Sequence, residues 1–163
     1  MRDAENKIIL VTGVGGPAGI NAARLLKDEQ GVTVLGCDSD ENSSGRLFVD
    51  TFLISLRADD REGYEAWIRK TIAEYNVDIL IPTVHEELPV LLQFKDELPC
   101  MVVMSDHEAI EVGDDKKIEY EWAEKNLPDN VIKWTLLSNW TPAWSANAEQ
   151  FFIKPRQGRG ARG

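Results

Sequence analysis

The sequence predicts an α/β protein with an open, mostly parallel, doubly wound sheet. Short apolar runs, which are typical of strands buried on both faces, alternate along the chain with segments whose apolar residues recur at helical spacing. A glycine-rich turn joins the first apolar run to the first helical segment. Because strands and helices alternate, successive strands are expected to be joined by crossover helices and therefore to run parallel.

The strands of this sheet are placed from their apolar runs. They are expected at residues 7–12, 32–37, 52–56, 78–81 and 101–104. The first two are the clearest, because each is a continuous apolar run followed at once by a glycine or an acid. A further strand is expected at residues 151–154, where it leads into a basic, glycine-rich stretch.

Helices are expected between the strands, at residues 18–29, 61–75, 86–98 and 114–126. The first is expected to turn inward Ala22, Ala23, Leu25 and Leu26. The second has the clearest apolar face, formed by Tyr64, Trp67, Ile68, Thr71, Ile72 and Tyr75. The third contains Pro89, which must lie in its first turn. A shorter helix is expected to be capped by Ser105, with Glu108 completing a capping box.

These patterns divide the chain into two domains. Residues 1–112 hold the predicted sheet. Residues 113–163 hold a helix, a linker, and the first strand and loop of an incomplete second domain. Residues 130–150 carry three tryptophans without a steady period and resist assignment.

The distribution of charge limits the partners of the protein. The chain has 163 residues, of which 43% are hydrophobic, enough for a packed core. Its formal net charge of -10 disfavours nucleic acid and anionic membranes. A stretch without acids near the end gathers the cations Lys154, Arg156, Arg159 and Arg162. We therefore expect this stretch alone to meet an anion.

The cysteines and the apolar segments suggest a cellular location. Cys37 and Cys100 lie in apolar, strand-like runs and are expected to be buried free thiols, which suits a reducing, cytoplasmic location. No apolar stretch approaches the length of a membrane span. The run at residues 8–11 is too short for a secretion signal.

The glycine-rich turn is the first candidate binding site. Gly13, Gly15 and Gly16 lie between a strand and a helix, where free N–H groups and the helix dipole favour an anion. A tight turn without a ligand is the alternative, but three glycines followed by Pro17 exceed what such a turn needs. Asp38, at the end of the second strand, is either a ligand of a ribose hydroxyl or a solvated loop acid.

A second candidate site follows the fourth strand. Open α/β sheets bind ligands at the carboxyl ends of their strands, so Thr83 and Glu87 could face that crevice. Glu86 and Glu87 could instead be first-turn acids that stabilise a helix dipole. A catalytic role for His85, in the loop after this strand, is the lesser alternative.

Several chemistries lack the residues that they need. The chain has two histidines, and the segment at residues 107–111 lacks the second histidine of the zinc motif HExxH, so no metal site is predicted. The phosphate-binding Walker A motif and the nucleophile elbow of serine hydrolases are also absent. Asp114 or Asp115 is expected to cap a helix. Lys116 either reaches an anion or is solvated.

The basic stretch at residues 154–163 is the strongest single signal. Glycines let backbone N–H groups approach a phosphate, and cations neutralise it. The residues in question are Lys154, Arg156, Gly158, Arg159, Gly160 and Gly163. A disordered basic tail is the alternative, against which the preceding apolar residues argue.

Four motifs in this order resemble the ATP-grasp enzymes. They are ILVTGVGGPAGIN at residues 9–21, IPTVHEEL at 81–88, DK at 115–116 and IKPRQGRGARG at 153–163. The chain most resembles the branch similar to the large subunit of carbamoyl-phosphate synthase. The likeness covers residues 7–129 and 151–163.

The resemblance implies a Rossmann-like pre-ATP-grasp domain followed by the start of an ATP-grasp α+β subdomain. It implies a ligase that uses MgATP to activate a carboxylate as an acyl phosphate, which an amine or similar nucleophile attacks. The residues expected to meet ATP are Lys116, Lys154, Arg156, Gly158, Arg159, Gly160 and Gly163. Those expected on the substrate or anion side are Gly13, Gly15, Gly16, Asp38, Thr83 and Glu87. Catalytic residues are not assigned.

In this family the Mg²⁺ ligands, the hinge that holds adenine and the second subdomain follow the glycine-rich loop. We therefore expect this chain to be a truncated or split product that holds no metal ligand and is inactive alone. A small-molecule carboxylate and ATP are its expected ligands. A separate ATP-grasp polypeptide or a second copy of the chain is its expected protein partner.

Two further interpretations stay open. An NAD(P)-dependent oxidoreductase or epimerase would share the glycine turn and Asp38, but the Tyr-x-x-x-Lys pair of that class is absent. A non-catalytic module that binds a nucleotide or a partner chain is the other alternative.

Overall fold

The computed structural model describes residues 6–147 and 150–158, and its centre is a parallel five-stranded sheet. The strands are β1 Lys7–Val11, β2 Val32–Asp38, β3 Thr51–Ile54, β4 Ile79–Ile81 and β5 Met101–Val102. Their order is β3-β2-β1-β4-β5, and all four neighbouring pairs are parallel. The predicted open, doubly wound α/β sheet is confirmed.

Helices and short 3₁₀ turns connect the strands and continue the chain after β5. The helices are α1 Pro17–Lys27, α2 Arg61–Tyr75, α3 Leu88–Leu91, α4 His107–Asp114 and α5 Lys116–Asn126. The 3₁₀ turns are Ser44–Phe48, His85–Glu87, Lys95–Glu97 and Leu137–Asn139. None of the described helices has the length and apolar character needed to cross a membrane.

The central strand β1 buries apolar side chains on both faces of the sheet. Leu10 pairs in register with Leu35 and Leu80 and packs with α2 in one core cluster. Ile9 and Val11 belong to a second cluster that includes Ala23 of α1. A strand covered on both faces explains the continuous apolar run that predicts it.

The predicted apolar face of α2 is confirmed, but one residue of α1 is not where we expected it. In α2, Tyr64, Ile68, Thr71 and Ile72 are buried. In α1, Ala23 is buried whereas Leu25 is 74% exposed. Residues two positions apart on an α-helix point in directions about 200° apart, so Leu25 lies opposite the buried stripe that Gly19 and Ala23 form. The inward placement of Leu25 was wrong.

The predicted helix at residues 86–98 is interrupted. Pro89 lies in the first turn of α3, as expected, but α3 ends at Leu91. The N–H groups of Gln93 and Phe94 then donate to carbonyls three residues back, which tightens the chain and ends the helix. This turn brings Phe94 into the core, where it is 3% exposed.

The predicted helix caps are partly confirmed. α4 is capped by Asp106 and not by Ser105, because the Asp106 carboxylate accepts the Ala109 N–H at 2.8 Å. α5 is capped by Asp115, which accepts the Lys117 N–H at 2.9 Å. An acid in either place also meets the positive end of the helix dipole.

The described chain forms two compact units, one up to Ser105 and one from Asp106 onward. The first contains the sheet. In the second, α4 and α5 contact each other, and Trp134 of the connecting segment stacks on Tyr120 of α5 with ring centroids 5.3 Å apart. The division into a pre-ATP-grasp domain at residues 1–112 and the start of an ATP-grasp domain at 113–163 stays a prediction.

The strand predicted at residues 151–154 is not formed. A strand needs a hydrogen-bonded neighbour, and no strand is present in the part of the second unit that the structure describes. Phe152 is accordingly 87% exposed. Cys37 is a buried free thiol and Cys100 a partly buried one, so the prediction of unbridged cysteines is confirmed.

Candidate functional site

The glycine turn closes tightly over the carboxyl end of β1. Gly13 has φ +59°, a left-handed conformation that residues with a side chain rarely adopt. A Cβ atom at this position would lie 2.3 Å from Cγ2 of Val84, in the loop after β4. The turn therefore needs glycine both for its backbone and for its contact with that loop. Gly16 follows as the N-cap of α1.

Asp38 stabilises the glycine turn from the end of β2. Its Oδ2 accepts the Gly15 N–H at 2.7 Å, and its Oδ1 accepts the Asp40 N–H at 3.0 Å. A Cβ atom on Gly15 would lie 2.7 Å from the same Oδ2, so glycine permits this close approach. One N–H group of the predicted anion site is thus already bound to an internal carboxylate.

Ser43 contributes a buried hydroxyl beside the same turn. Its Oγ lies 2.8 Å from the position that a Cβ atom on Gly15 would take. No described residue forms a hydrogen bond with this oxygen. The space over Gly15 is therefore bordered by two oxygen atoms, one from Ser43 and one from Asp38.

Thr12 and Thr83 join the ends of β1 and β4. The Thr83 hydroxyl donates to the Thr12 carbonyl at 2.7 Å, and the Thr83 N–H donates to the Thr12 hydroxyl at 3.1 Å. These two hydrogen bonds thus continue the pairing of β1 with β4 beyond the last residues of both strands. Thr83 stays partly accessible at the edge of the sheet.

Glu87 lies in the core beneath this edge, with 2% of its surface exposed. Its Oε1 accepts the Thr12 hydroxyl at 2.5 Å and the Val84 N–H at 2.7 Å. Its Oε2 accepts the phenol hydroxyl of Tyr64 in α2. Burial raises the pKa of Glu87, while the hydrogen bonds from Thr12 and Tyr64 act in the opposite direction.

The same burial affects the neighbours of Glu87. Burial and the Glu87 charge raise the pKa of the Tyr64 phenol. Burial, with Glu87 as a further cause, also raises the pKa of the Cys37 thiol. Both groups therefore stay protonated in the folded protein. Glu87 accepts the Tyr64 hydroxyl and acts through its charge on both groups.

The ends of β1, β2 and β4 thus bring most of the predicted substrate residues to one edge. Gly13, Gly15 and Gly16 lie between Asp38 on one side and Thr83 on the other. Glu87 approaches the same edge from the core. Strands β2 and β3 extend the sheet on one side of β1, and strands β4 and β5 extend it on the other side. The order of the strands therefore reverses between β1 and β4, and open α/β sheets bind ligands at such a switch point. The ligand contacts of these residues stay predictions.

In the second unit, the basic stretch lies against the start of α5. Arg156 donates from Nε to Asp115 Oδ1 at 3.0 Å and from Nη2 to Oδ2 of the same carboxylate. The hydrogen bonds from Arg156 hold the pKa of Asp115 below its usual value. Lys154 is exposed, and Gly158 has φ +102°. The predicted ATP-site residues Arg159, Gly160 and Gly163 lie outside the described residues.

Lys116 binds the backbone of the basic stretch. Its Nζ donates to the Gly158 carbonyl at 2.9 Å and to the Arg156 carbonyl at 3.3 Å. Its own N–H also donates to the Arg156 carbonyl, at 3.0 Å. The structure therefore brings Lys116, Arg156 and Gly158 together, while their contacts with ATP stay predictions.

No group of three or more histidine, cysteine, aspartate or glutamate side chains within residues 6–147 and 150–158 could hold a metal ion. His107 pairs instead with Glu111 at 3.2 Å, one turn along α4. The described residues do not fit the Mg²⁺ that the resemblance implies.

Two partners at these sites were missed by the sequence reasoning. Tyr64 was assigned to an apolar helix face, although a buried phenol needs a hydrogen-bond partner and so predicts a buried acceptor. For Asp115 the sequence predicts a helix cap and a place in the DK motif, but not its pairing with Arg156. No local sequence pattern pairs Asp115 with Arg156, which lies 41 residues later.

The fold and the glycine turn define a Rossmann-like, doubly wound α/β domain with a candidate ligand edge at its switch point. No protein-family model and no curated protein sequence matches the chain. Solved structures do share the fold. N5-carboxyaminoimidazole synthetase from Staphylococcus aureus, complexed with ADP, is 18% identical with a TM-score of 0.55, over 73% of this chain and 30% of that one.

Two other solved structures are similar. The L-amino acid ligase from Bacillus licheniformis is 18% identical with a TM-score of 0.53, over 81% of this chain and 36% of that one. Glycinamide-RNase-transformylase T from Mycobacterium tuberculosis is 14% identical with a TM-score of 0.54, over 74% of this chain and 35% of that one. The chain therefore spans about a third of the length of these proteins.

Proposed function

We propose that this chain is the N-terminal part of an ATP-grasp ligase of the branch similar to the large subunit of carbamoyl-phosphate synthase. The proposed reaction converts a carboxylate to an acyl phosphate with ATP, and an amine or similar nucleophile then displaces the phosphate. The observation that carries the proposal is the fold that this chain shares with a synthetase complexed with ADP and with an L-amino acid ligase. The TM-scores of these two structures are 0.55 and 0.53. The order of the four sequence motifs supports the same assignment.

In this proposal the edge beside β1 holds the small-molecule substrate. The Asp38 carboxylate occupies the Gly15 N–H at 2.7 Å and brings negative charge to the turn. A second anion there would lose that donor and be repelled. We therefore expect the edge to bind a substrate group that donates hydrogen bonds, such as an ammonium or hydroxyl group, with Asp38 and Thr83 as acceptors.

The same contact disfavours the oxidoreductase alternative. A dinucleotide needs the N–H groups of the glycine turn for its pyrophosphate and the acid after β2 for its ribose. Here the acid and one of those N–H groups bind each other. A dinucleotide would have to separate them.

The basic stretch is proposed to meet the ATP phosphates. Lys154 presents an exposed ammonium group, which suits a phosphate ligand as a point charge. The described residues bind and orient ligands in this proposal and do not complete phosphoryl transfer alone.

Titration calorimetry on the intact chain tests the proposal. We expect ATP to bind and NADH not to bind. Replacement of Lys154 by Gln should weaken ATP binding about tenfold, the equivalent of about 1.4 kcal/mol. Replacement of Lys70, an exposed lysine of α2 in the other unit, by Gln is the matched control. Binding of NADH without binding of ATP would overturn the proposal.

A further inference from the structure

The cations of the basic stretch differ in their surroundings: Arg156 pairs with Asp115, whereas Lys154 is exposed. We propose that Asp115 and Lys116 are positioning residues that hold residues 156–158 against the start of α5, and that Arg156 is an internal partner and not a phosphate ligand. This inference deepens the proposed function and rests on it for the identity of the ligand. Asp115, Lys116 and Arg156 thus hold the shape of the loop, and Lys154 binds the anion.

The first support is the geometry of the Arg156 guanidinium. Two of its nitrogens donate to the two oxygens of one carboxylate, with Nε at 3.0 Å from Asp115 Oδ1. Such forked pairs fix orientation as well as charge. The Asp115 side chain is only 11% exposed, and its Oδ1 also accepts the Lys117 N–H that begins α5. The helix therefore fixes the carboxylate that receives Arg156.

The second support is the backbone that Lys116 binds. Its ammonium group and its N–H both donate to the Arg156 carbonyl, so this oxygen faces α5. In a trans peptide the C=O and the following N–H point in opposite directions. The Gln157 N–H therefore faces away from α5. Backbone N–H groups turned outward are what an anion-binding loop needs.

A third contact closes the same junction. The Gln157 side-chain amide donates from Nε2 to Asp114 Oδ2 at 3.0 Å. Three consecutive residues, Asp114 to Lys116, thus bind three consecutive residues of the basic stretch, Arg156 to Gly158. Because these contacts use the charges of Lys116 and Arg156 internally, the exposed Lys154 is the described cation of the stretch that we assign to the phosphate.

Limited trypsin digestion tests the positioning claim without any ligand. Trypsin must bind the Arg156 side chain to cleave after it, so pairing with Asp115 should protect the Arg156–Gln157 bond. Asp115→Asn keeps a good helix cap and removes the charge. We expect it to speed cleavage after Arg156 about tenfold, as for a local opening made easier by about 1.4 kcal/mol.

Two lysine variants complete the digestion experiment. Lys116→Met should also speed cleavage after Arg156, and Lys116→Arg should restore part of the protection because it keeps the donor. Lys117→Met is the matched control, since Lys117 pairs with Glu121 within α5 at 2.7 Å. Mass spectrometry identifies the fragment that ends at Arg156. Equal cleavage rates in wild type, Asp115→Asn and Lys116→Met would overturn the positioning claim.

Calorimetry with inorganic tripolyphosphate tests the assignment of Arg156. If Arg156 only shapes the loop, Asp115→Asn and Arg156→Gln should each weaken binding by a similar factor. The double variant should then be no weaker than either single variant, because the two residues act as one unit. If Arg156 is a phosphate ligand, Asp115→Asn frees its charge and tightens binding, which would overturn the assignment.

The two experiments separate the two proposals. If tripolyphosphate and ATP fail to bind the wild-type chain, the proposed function loses its support. The digestion rates still decide whether Asp115 and Lys116 hold the loop.

Discussion

Thr12 and Glu87 are 75 residues apart in sequence, and the Thr12 hydroxyl donates to Glu87 Oε1 at 2.5 Å. The same oxygen accepts the Val84 N–H, and Val84 packs against Gly13. One buried carboxylate therefore connects the glycine turn after β1 to the loop after β4. The shape of the candidate substrate edge depends on this connection in the core.

The first prediction concerns the pH dependence of stability. Burial raises the pKa of Glu87 above the ordinary glutamate value of 4.5, so the folded protein holds this proton more tightly than the unfolded chain. Stability from Glu87 is thus fully present below 4.5 and is lost as pH rises through the raised pKa. We expect wild type to lose stability relative to Glu87→Gln as pH increases from 4 upward. Urea unfolding at several pH values measures this, and a relative gain would contradict it.

The second prediction concerns the phenol of Tyr64. Tyr64→Phe removes a donor from a buried carboxylate, which should lower the free energy of unfolding by about 1–3 kcal/mol. Tyr75→Phe on the same helix is the control, because Tyr75 is only partly buried. Urea denaturation of both variants measures the difference. Equal stability of the two variants would show that the Tyr64 hydroxyl contributes nothing.

The third prediction concerns Gly13. Gly13→Ala forces a side chain into a left-handed conformation, which costs about 1–2 kcal/mol, and also into contact with Val84. We expect a loss of more than about 2 kcal/mol in urea unfolding. Gly113→Ala in α4 is the control, since its Cβ atom would meet nothing within 4 Å and should stabilise the helix by up to about 1 kcal/mol. Similar effects in both variants would refute the role of the turn.

The fourth prediction concerns the charge of Asp38. Asp38→Asn keeps an oxygen that can accept the Gly15 N–H but removes the negative charge. We expect little change in stability but tighter binding of inorganic phosphate at the turn. NMR measures this binding through the shift of the Gly15 amide signal. Asp40→Asn, in the same loop, is the control and should leave phosphate binding unchanged. If Asp38→Asn also leaves it unchanged, the Asp38 charge does not select the substrate.

The sheet could be predicted because its signals are local. A strand buried on both faces needs a continuous apolar run, and Leu10 and Leu80 lie in such runs. The apolar face of α2 likewise follows from helical spacing. The placement of Leu25 failed because apolar character alone does not say which side of a helix faces the sheet.

The polar contacts of the site could not be predicted in the same way. Thr12 with Glu87 and Asp38 with Gly15 each join residues that are distant in sequence, and no local pattern pairs them. The strand expected at residues 151–154 failed for a related reason. Its apolar composition is compatible with a strand, but strand formation depends on a neighbour elsewhere in the chain.

The reactivity of Cys37 can be used to measure when the central sheet opens. Its sulfur is fully buried in β2, one residue before Asp38, and burial raises its pKa, so a thiol reagent can reach and modify it only after β2 is exposed. Cys100 is less deeply buried and should react first. The lag between the two labelling events would therefore time the opening of the sheet in the intact protein, without any substituted residue.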